Sequence, residues 1–410
     1  MIKAKAFFPS REAAAIFLTL AFVVGFLGAR AILSIATLLL GLNALRGTSP
    51  KDWLRNKTWL VGILWVALYA ISFFWSDNKG EWGERVQVKL PFLILPLAMA
   101  YPLRLSRRQT SVLMSGVCLL LLSGVAFSLS FFFRDAAAIA EKYGRAFTFR
   151  TPAYNNHICF SAFLAATLFW MVAQWPQMTR AARWISGISG IVMVAYLHIL
   201  AAKTGLVMLY GAGLLLLGRE LYRRHWKTAL AAFLLLILTV ISAWTFSPTF
   251  RARIGYFQWS FMEYSSGRLS AHYSDPGRLY SYKVAFHQIR KAPVAGYGAG
   301  DVVAAMDEGY NDLFPQTATE NRLVPHNQFL ATGVAVGFSG ILLLALWWIL
   351  PFIQSARLPN RFYNTGIWLL VSVLLFVDPA FEVQYGIAVF LFFLYWFRNL
   401  TPPKAFSSLR

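Results

Sequence analysis

Apolar residues recur along this chain in runs long enough to cross a bilayer, separated by short polar joints, from residue 13 almost to the last residue. The runs predict twelve spans, near 13–28, 31–45, 58–75, 88–102, 110–133, 154–175, 183–200, 204–218, 228–246, 327–351, 362–378 and 381–397. An α-helix satisfies its own backbone hydrogen bonds in lipid, so the pattern predicts an all-α polytopic membrane protein. Only Arg30, Lys203 and the pair Asp378-Pro379 divide neighbouring runs at three places. One long polar stretch breaks the rhythm. The chain therefore reads as a membrane part of nine spans over 1–246, a large loop over 247–325, and three further spans within 326–410.

Within that loop the pattern changes to amphipathic. Residues 251–264 mix Ile254, Tyr256, Phe257, Trp259 and Phe261 with Arg251 and Arg253, as in a helix lying at a bilayer surface. Asp275-Pro276 resembles a cap followed by proline, and Leu279, Tyr282, Phe286 and Ile289 give an apolar stripe at helical spacing, which predicts a second loop helix with Arg278 in its first turn. Gly296, Gly298 and Gly300 follow Pro293. A nucleotide loop needs a preceding strand, so this glycine run reads as a turn that brings the loop close to the membrane part.

Composition agrees with membrane insertion: 58% of the 410 residues are hydrophobic and the mean hydropathy is +0.54. The first run leads directly into the second with no small-residue cleavage site, so a retained N-terminus is expected. The net charge of +21 does not argue for nucleic acid. With the N-terminus in the cytoplasm, basic residues such as Lys3, Arg46, Arg55, Arg104, Arg180, Arg224, Arg357 and Arg398 fall in short inner loops, with Glu12, Asp52 and Glu220 as the acidic residues among them. Both termini are then cytoplasmic and the large loop is external. Cys118 and Cys159 fall near opposite ends of neighbouring antiparallel spans and are expected to stay free.

The external side carries the candidate chemistry. Pro325, His326 and Asn327 stand where the loop runs into an apolar span, and at about 100° per residue His326, Gly337 and Gly340 share one helix face. A histidine at a helix N-terminus is held neutral and able to accept a proton. The plainer alternative is a capping histidine at a membrane interface. His157 and His198 also fall near external span ends and compete for the role of base. Lys203, Arg85, Lys89, Arg145 and Arg150 sit at external span ends, where a buried cation needs an anion; together with Arg278 they suit a lipid-borne diphosphate. Each singly is also explained as a snorkelling side chain, and the acidic set Asp301, Asp307, Glu308, Asp312, Glu320, Asp378 and Glu382 offers alternative partners. No compact metal-ligand spacing and no close pair of carboxylates of the glycosidase kind appears, so neither metal nor cofactor is expected.

These residues resemble the lipopolysaccharide O-antigen ligases, within a superfamily that includes O-antigen polymerases and bacterial protein O-oligosaccharyltransferases. The signature is His, then Asn, Ser or Gln, nine residues, Gly, two residues, then Gly, Thr or Tyr; His326, Asn327, Gly337 and Gly340 fit it. Arg278 opening a loop helix, and Pro293, Gly296 and Gly298 before the histidine, fit the wider pattern. Relatives commonly carry arginine where this chain has Lys203, which keeps the charge without bidentate recognition. The resemblance implies transfer of O-antigen from undecaprenyl pyrophosphate to a hydroxyl of the lipid A-core at the periplasmic face of the inner membrane, without metal. Under it, His326 is the general base and Arg278 and Lys203 stabilise the leaving pyrophosphate. A polymerase with a lipid-linked acceptor is the nearest alternative and a lipid-linked oligosaccharide flippase a more distant one.

Overall fold

The computed structural model describes residues 9–46, 49–98, 103–144, 147–266, 274–355 and 360–399. Among them the regular structure is helical throughout. Eight helices are long and apolar enough to cross a membrane: Arg11–Gly28, Lys57–Phe74, Arg107–Phe132, His157–Gln177, Arg180–Leu200, Lys203–Tyr222, Trp226–Phe246 and Gln328–Ser355. Three shorter apolar helices, Arg30–Leu45, Arg361–Val377 and Gln384–Trp396, coincide with further expected spans. The run expected as a span over 88–102 differs. It contains the eight-residue helix Pro91–Ala98 with Pro96 inside it, and 99–102 lie outside the described residues. Two prolines in six residues remove donors that a longer helix needs.

The three narrow joints are real breaks. Ala29 is extended between its helices, Ala201 is left-handed at φ 46 just before Lys203, and Asp378 is extended before the single turn Ala380–Glu382. Lipid gives little hydrophobic drive between helices, so close packing of small residues carries the association. A Cβ on Gly205 would meet Ser161 at 2.4 Å, and one on Gly366 would meet Phe169 at 2.5 Å. His157–Gln177 is the most enclosed of the long helices, whereas Trp226–Phe246 lies at the edge. Cys118 and Cys159 are buried and free.

No helix apolar enough to cross a membrane lies within 247–325 among the described residues. That stretch folds into Pro248–Ser265, Ser274–Lys291 and Val302–Leu313. The third of these is not evident from the sequence pattern. The stripe expected to bury the second is also corrected: Leu279 and Phe286 are exposed, while Ser281, Val284, Ala285 and Gln288 are fully buried. Close neighbours explain this. Gly309 approaches Val284 and Gln288, and the Gln288 side chain donates to the Ala305 carbonyl, so small and amide side chains fit where large apolar ones do not.

Candidate active site

The long helix that follows the loop begins at Gln328, because the Asn327 side-chain oxygen accepts from the backbone N–H of Phe329 (2.9 Å) and Leu330 (3.2 Å). His326 therefore precedes the cap and is not in the first turn. The helix also breaks at Val336 and Gly337, the latter with φ 71 and ψ −167, so Gly337 and Gly340 do not extend one smooth face from the histidine as the spacing suggested. The break serves a joint. Tyr297 N–H and Gly298 N–H donate to the Val334 and Ala335 carbonyls at 2.9 Å each, and Phe338 N–H donates to the Pro293 carbonyl at 2.7 Å. A Cβ on Gly337 would lie 2.2 Å from the Val294 oxygen, and one on Gly296 would lie 2.6 Å from the Ala335 carbonyl carbon. The glycine turn does bring the loop onto the membrane part, and it fixes the segment that carries the histidine.

His326 Nδ1 lies 3.0 Å from the Val324 carbonyl. That contact assigns the proton to Nδ1 and leaves the lone pair on Nε2. Burial lowers the pKa of the ring, Arg278 lowers it further, and the Val324 bond opposes them. The imidazole is thus a neutral base at pH 7, through burial and a nearby cation more than through the helix end. Tyr282, one turn after Arg278, holds its hydroxyl 2.8 Å from the His326 carbonyl and 3.2 Å from that of Phe376, tying the histidine segment to the helix end that leads to Asp378.

Arg278 lies near enough to His326, His157, Tyr282 and Asp378 to act electrostatically on each of them. Burial raises the Asp378 carboxyl to about 6, with Arg278 pulling it down. Among the described residues no carboxylate lies within ion-pair distance of Arg278. The two groups are thus coupled electrostatically without an ion pair between them. His157 closes another side: its Nδ1 is 3.3 Å from the Thr148 hydroxyl, and Asn156 caps its helix by accepting from Cys159 N–H. Ala153, Tyr154 and Asn155 just before it are all left-handed, at φ 57, 53 and 65. Three such non-glycine residues in a row store strain, and strain of this kind concentrates at functional sites.

The other expected cations meet different neighbours. Lys203 opens its helix with Nζ 5.0 Å from the Phe257 ring and 5.8 Å from the Tyr256 ring of Pro248–Ser265. His198 is engaged by Tyr210 at 2.6 Å and Val194 at 2.7 Å. Arg145 lies outside the described residues, and Arg150 is exposed above Phe127 and Phe131. Arg85 and Lys89 contact a carboxylate: Glu382 Oε2 is 3.0 Å from Arg85 Nη1 and 2.9 Å from Lys89 Nζ, and the Lys89 side chain is fully buried. Glu382 Oε1 accepts from Tyr69 (3.2 Å) and Gln328 (3.0 Å), and Gln328 in turn accepts from Phe381 N–H at 2.6 Å. Burial alone would raise Glu382, but Lys89 and Arg85 outweigh it and hold the carboxyl down near 2.

Two residues of this site escaped the sequence reading as site residues. Arg253, buried at 7% exposure, donates to the Phe147 carbonyl, stacks on Tyr143 at 4.6 Å and acts electrostatically on His157. Asp378 counted there only as an acidic partner for cations. The signal for both was the cost of placing a charge beside apolar runs.

A family model described as O-Antigen ligase matches residues 188–345, a stretch that holds Lys203, Arg253, Arg278, Tyr282 and His326. A search of curated proteins found no match.

Proposed function

From the match of residues 188–345 to a family model described as O-Antigen ligase, we propose that this multi-pass membrane protein is such a ligase and transfers O-antigen from undecaprenyl pyrophosphate to a hydroxyl of the lipid A-core. The reaction is placed at the periplasmic face of the inner membrane, with both termini cytoplasmic. The observation that supports this reading most is the neutral His326, with Nε2 unprotonated, beside the Arg278 guanidinium.

In this reading Nε2 takes the proton from the acceptor hydroxyl as its oxygen attacks the anomeric carbon of the donor. The bond from that carbon to the pyrophosphate oxygen breaks from the opposite side, so the configuration inverts. The leaving diphosphate gains negative charge, which Arg278 stabilises, with Arg253 as a further cation. The imidazolium then returns its proton to solvent or to the diphosphate. Asp378, when ionised, accepts hydrogen bonds from sugar hydroxyls of the substrate. Lys203 contributes further positive charge from the start of its helix. Arg85 and Lys89 act through Glu382 and Gln328, which position the histidine segment.

The test incubates purified full-length protein with undecaprenyl-pyrophosphate-linked O-antigen and lipid A-core, and reads the products by mass spectrometry. Glycan joined to the core is the expected result. Lengthening of the lipid-linked glycan with an unmodified core would replace this reading by a polymerase, and unchanged covalent bonds in both lipids would replace it by transport.

A further inference from the structure

A cavity of about 620 Å³ opens between Arg30–Leu45, Lys79–Lys89, Pro91–Ala98 and Gln384–Asn399. Its volume is that of a small-molecule site. Its lining is sorted by polarity. Arg30, Glu84 and Gln87 stand at one end, and Leu38, Ile94 and Ile387 line the other. Gln384 Nε2 bonds the Arg30 carbonyl at 3.3 Å and the Ser34 hydroxyl at 2.7 Å, which sets the last helix level with the polar end of the first. On the first and last walls the polar end residue precedes the apolar one, Arg30 before Leu38 and Gln384 before Ile387, and Ile94 meets the first wall at Gly41, beyond Leu38 and away from Arg30.

The two charges at the polar end are separate. Among the described residues Glu84 has no cation within ion-pair distance. Arg30 stacks on Tyr154 at 4.5 Å and Tyr385 at 5.8 Å, and its guanidinium has further N–H donors beyond the one it directs to Tyr385. A diphosphate would bring two negative groups beside Glu84. A head group that carries one phosphate and one ammonium satisfies both side chains.

We propose that this crevice binds a zwitterionic aminophospholipid, with its phosphate on Arg30, its ammonium on Glu84 and an acyl chain between Leu38, Ile94 and Ile387. Its back wall includes the helix of Arg85 and Lys89 and the segment just after Glu382, so a bound lipid braces the buried ion pair. The site is independent of which glycan acceptor the protein uses.

Native mass spectrometry of the purified full-length protein, given equimolar phosphatidylethanolamine, phosphatidylglycerol and undecaprenyl phosphate, tests this. The expected wild-type result is one phosphatidylethanolamine that Leu38→Trp no longer retains. Glu84→Gln is expected to lower its retention about fivefold, the scale of one charge contact, without lowering that of phosphatidylglycerol. Arg30→Gln should lower both. Glu84 and Arg30 are exposed, so neither change threatens the fold. Equal retention of the two phospholipids by the wild type, unchanged retention in Glu84→Gln, or displacement by undecaprenyl phosphate would overturn the proposal.

Discussion

Replacing Glu382 by alanine isolates what the buried ion pair contributes. Its carboxylate has four partners, Arg85, Lys89, Tyr69 and Gln328, all within 3.2 Å, and Lys89 has no exposed surface. Removal leaves an uncompensated ammonium inside the protein, a change that costs on the order of 3–5 kcal/mol. Lys89→Met is gentler, because Arg85 still neutralises Glu382, and about 1–2 kcal/mol is expected from the lost charge-assisted bond. The double variant Lys89→Met/Glu382→Gln removes both charges and should be more stable than Glu382→Ala. Denaturant unfolding in mixed micelles measures these differences, and turnover measured below the unfolding range gives the second readout. Loss of the bond to Gln328 frees the first turn after His326, so kcat should fall while the donor KM holds. If Lys89 held the donor diphosphate directly, Lys89→Met would instead raise the donor KM at unchanged stability. Stability of Glu382→Ala within about 1 kcal/mol of the wild type would refute the reasoning, since that is the scale of an exposed pair. The pH sign follows from the lowered carboxyl: its stabilisation is present above the ordinary carboxylate range and is lost as pH falls from about 4.5 toward 2.

Four further outcomes are expected. His326→Ala should lose about 10²–10⁴-fold in kcat with an unchanged unfolding midpoint, and near-normal turnover by the folded variant would remove the base assignment. In wild type kcat/KM should fall as pH drops through about 6, where Asp378 protonates, and Asp378→Asn should lose that component and leave only the acidic limb that protonation of His326 imposes; an identical profile in the variant would sink the role of Asp378. Arg278→Lys should retain part of the donor affinity that Arg278→Ala loses, because lysine keeps charge without the fork, as read from donor KM. Gly337→Ala forces a left-handed alanine against the Val294 oxygen and should cost more than about 1–3 kcal/mol, measured by unfolding; a loss below 0.5 kcal/mol would contradict the joint.

Most of the membrane helices were legible because span length is set by lipid thickness, and even single-residue joints at Arg30 and Lys203 mark real breaks. The loop was harder. Its helix Ser274–Lys291 buries serine, alanine and glutamine against glycine-bearing neighbours, and no hydrophobic stripe announces that face. The geometry around the histidine motif was only partly legible: periodicity assumed an unbroken helix, whereas Gly337 ends one stretch and starts another. Partner choice among charges is also invisible in one dimension. Nothing in the spacing of Arg85 and Lys89 favours Glu382, almost 300 positions away, over a ligand.

The joint between 293–298 and 334–339 also bears on how this protein can be recombined. Val334 and Ala335 present carbonyls, and Phe338 an amide, that the helix itself leaves open, and only the backbone of the glycine turn fills them. A loop grafted from a relative without its own matching helix break would leave those groups bare at membrane depth. Loop and helix therefore work as a single unit, and chimaeras meant to exchange glycan preference need their crossover points outside 293–340.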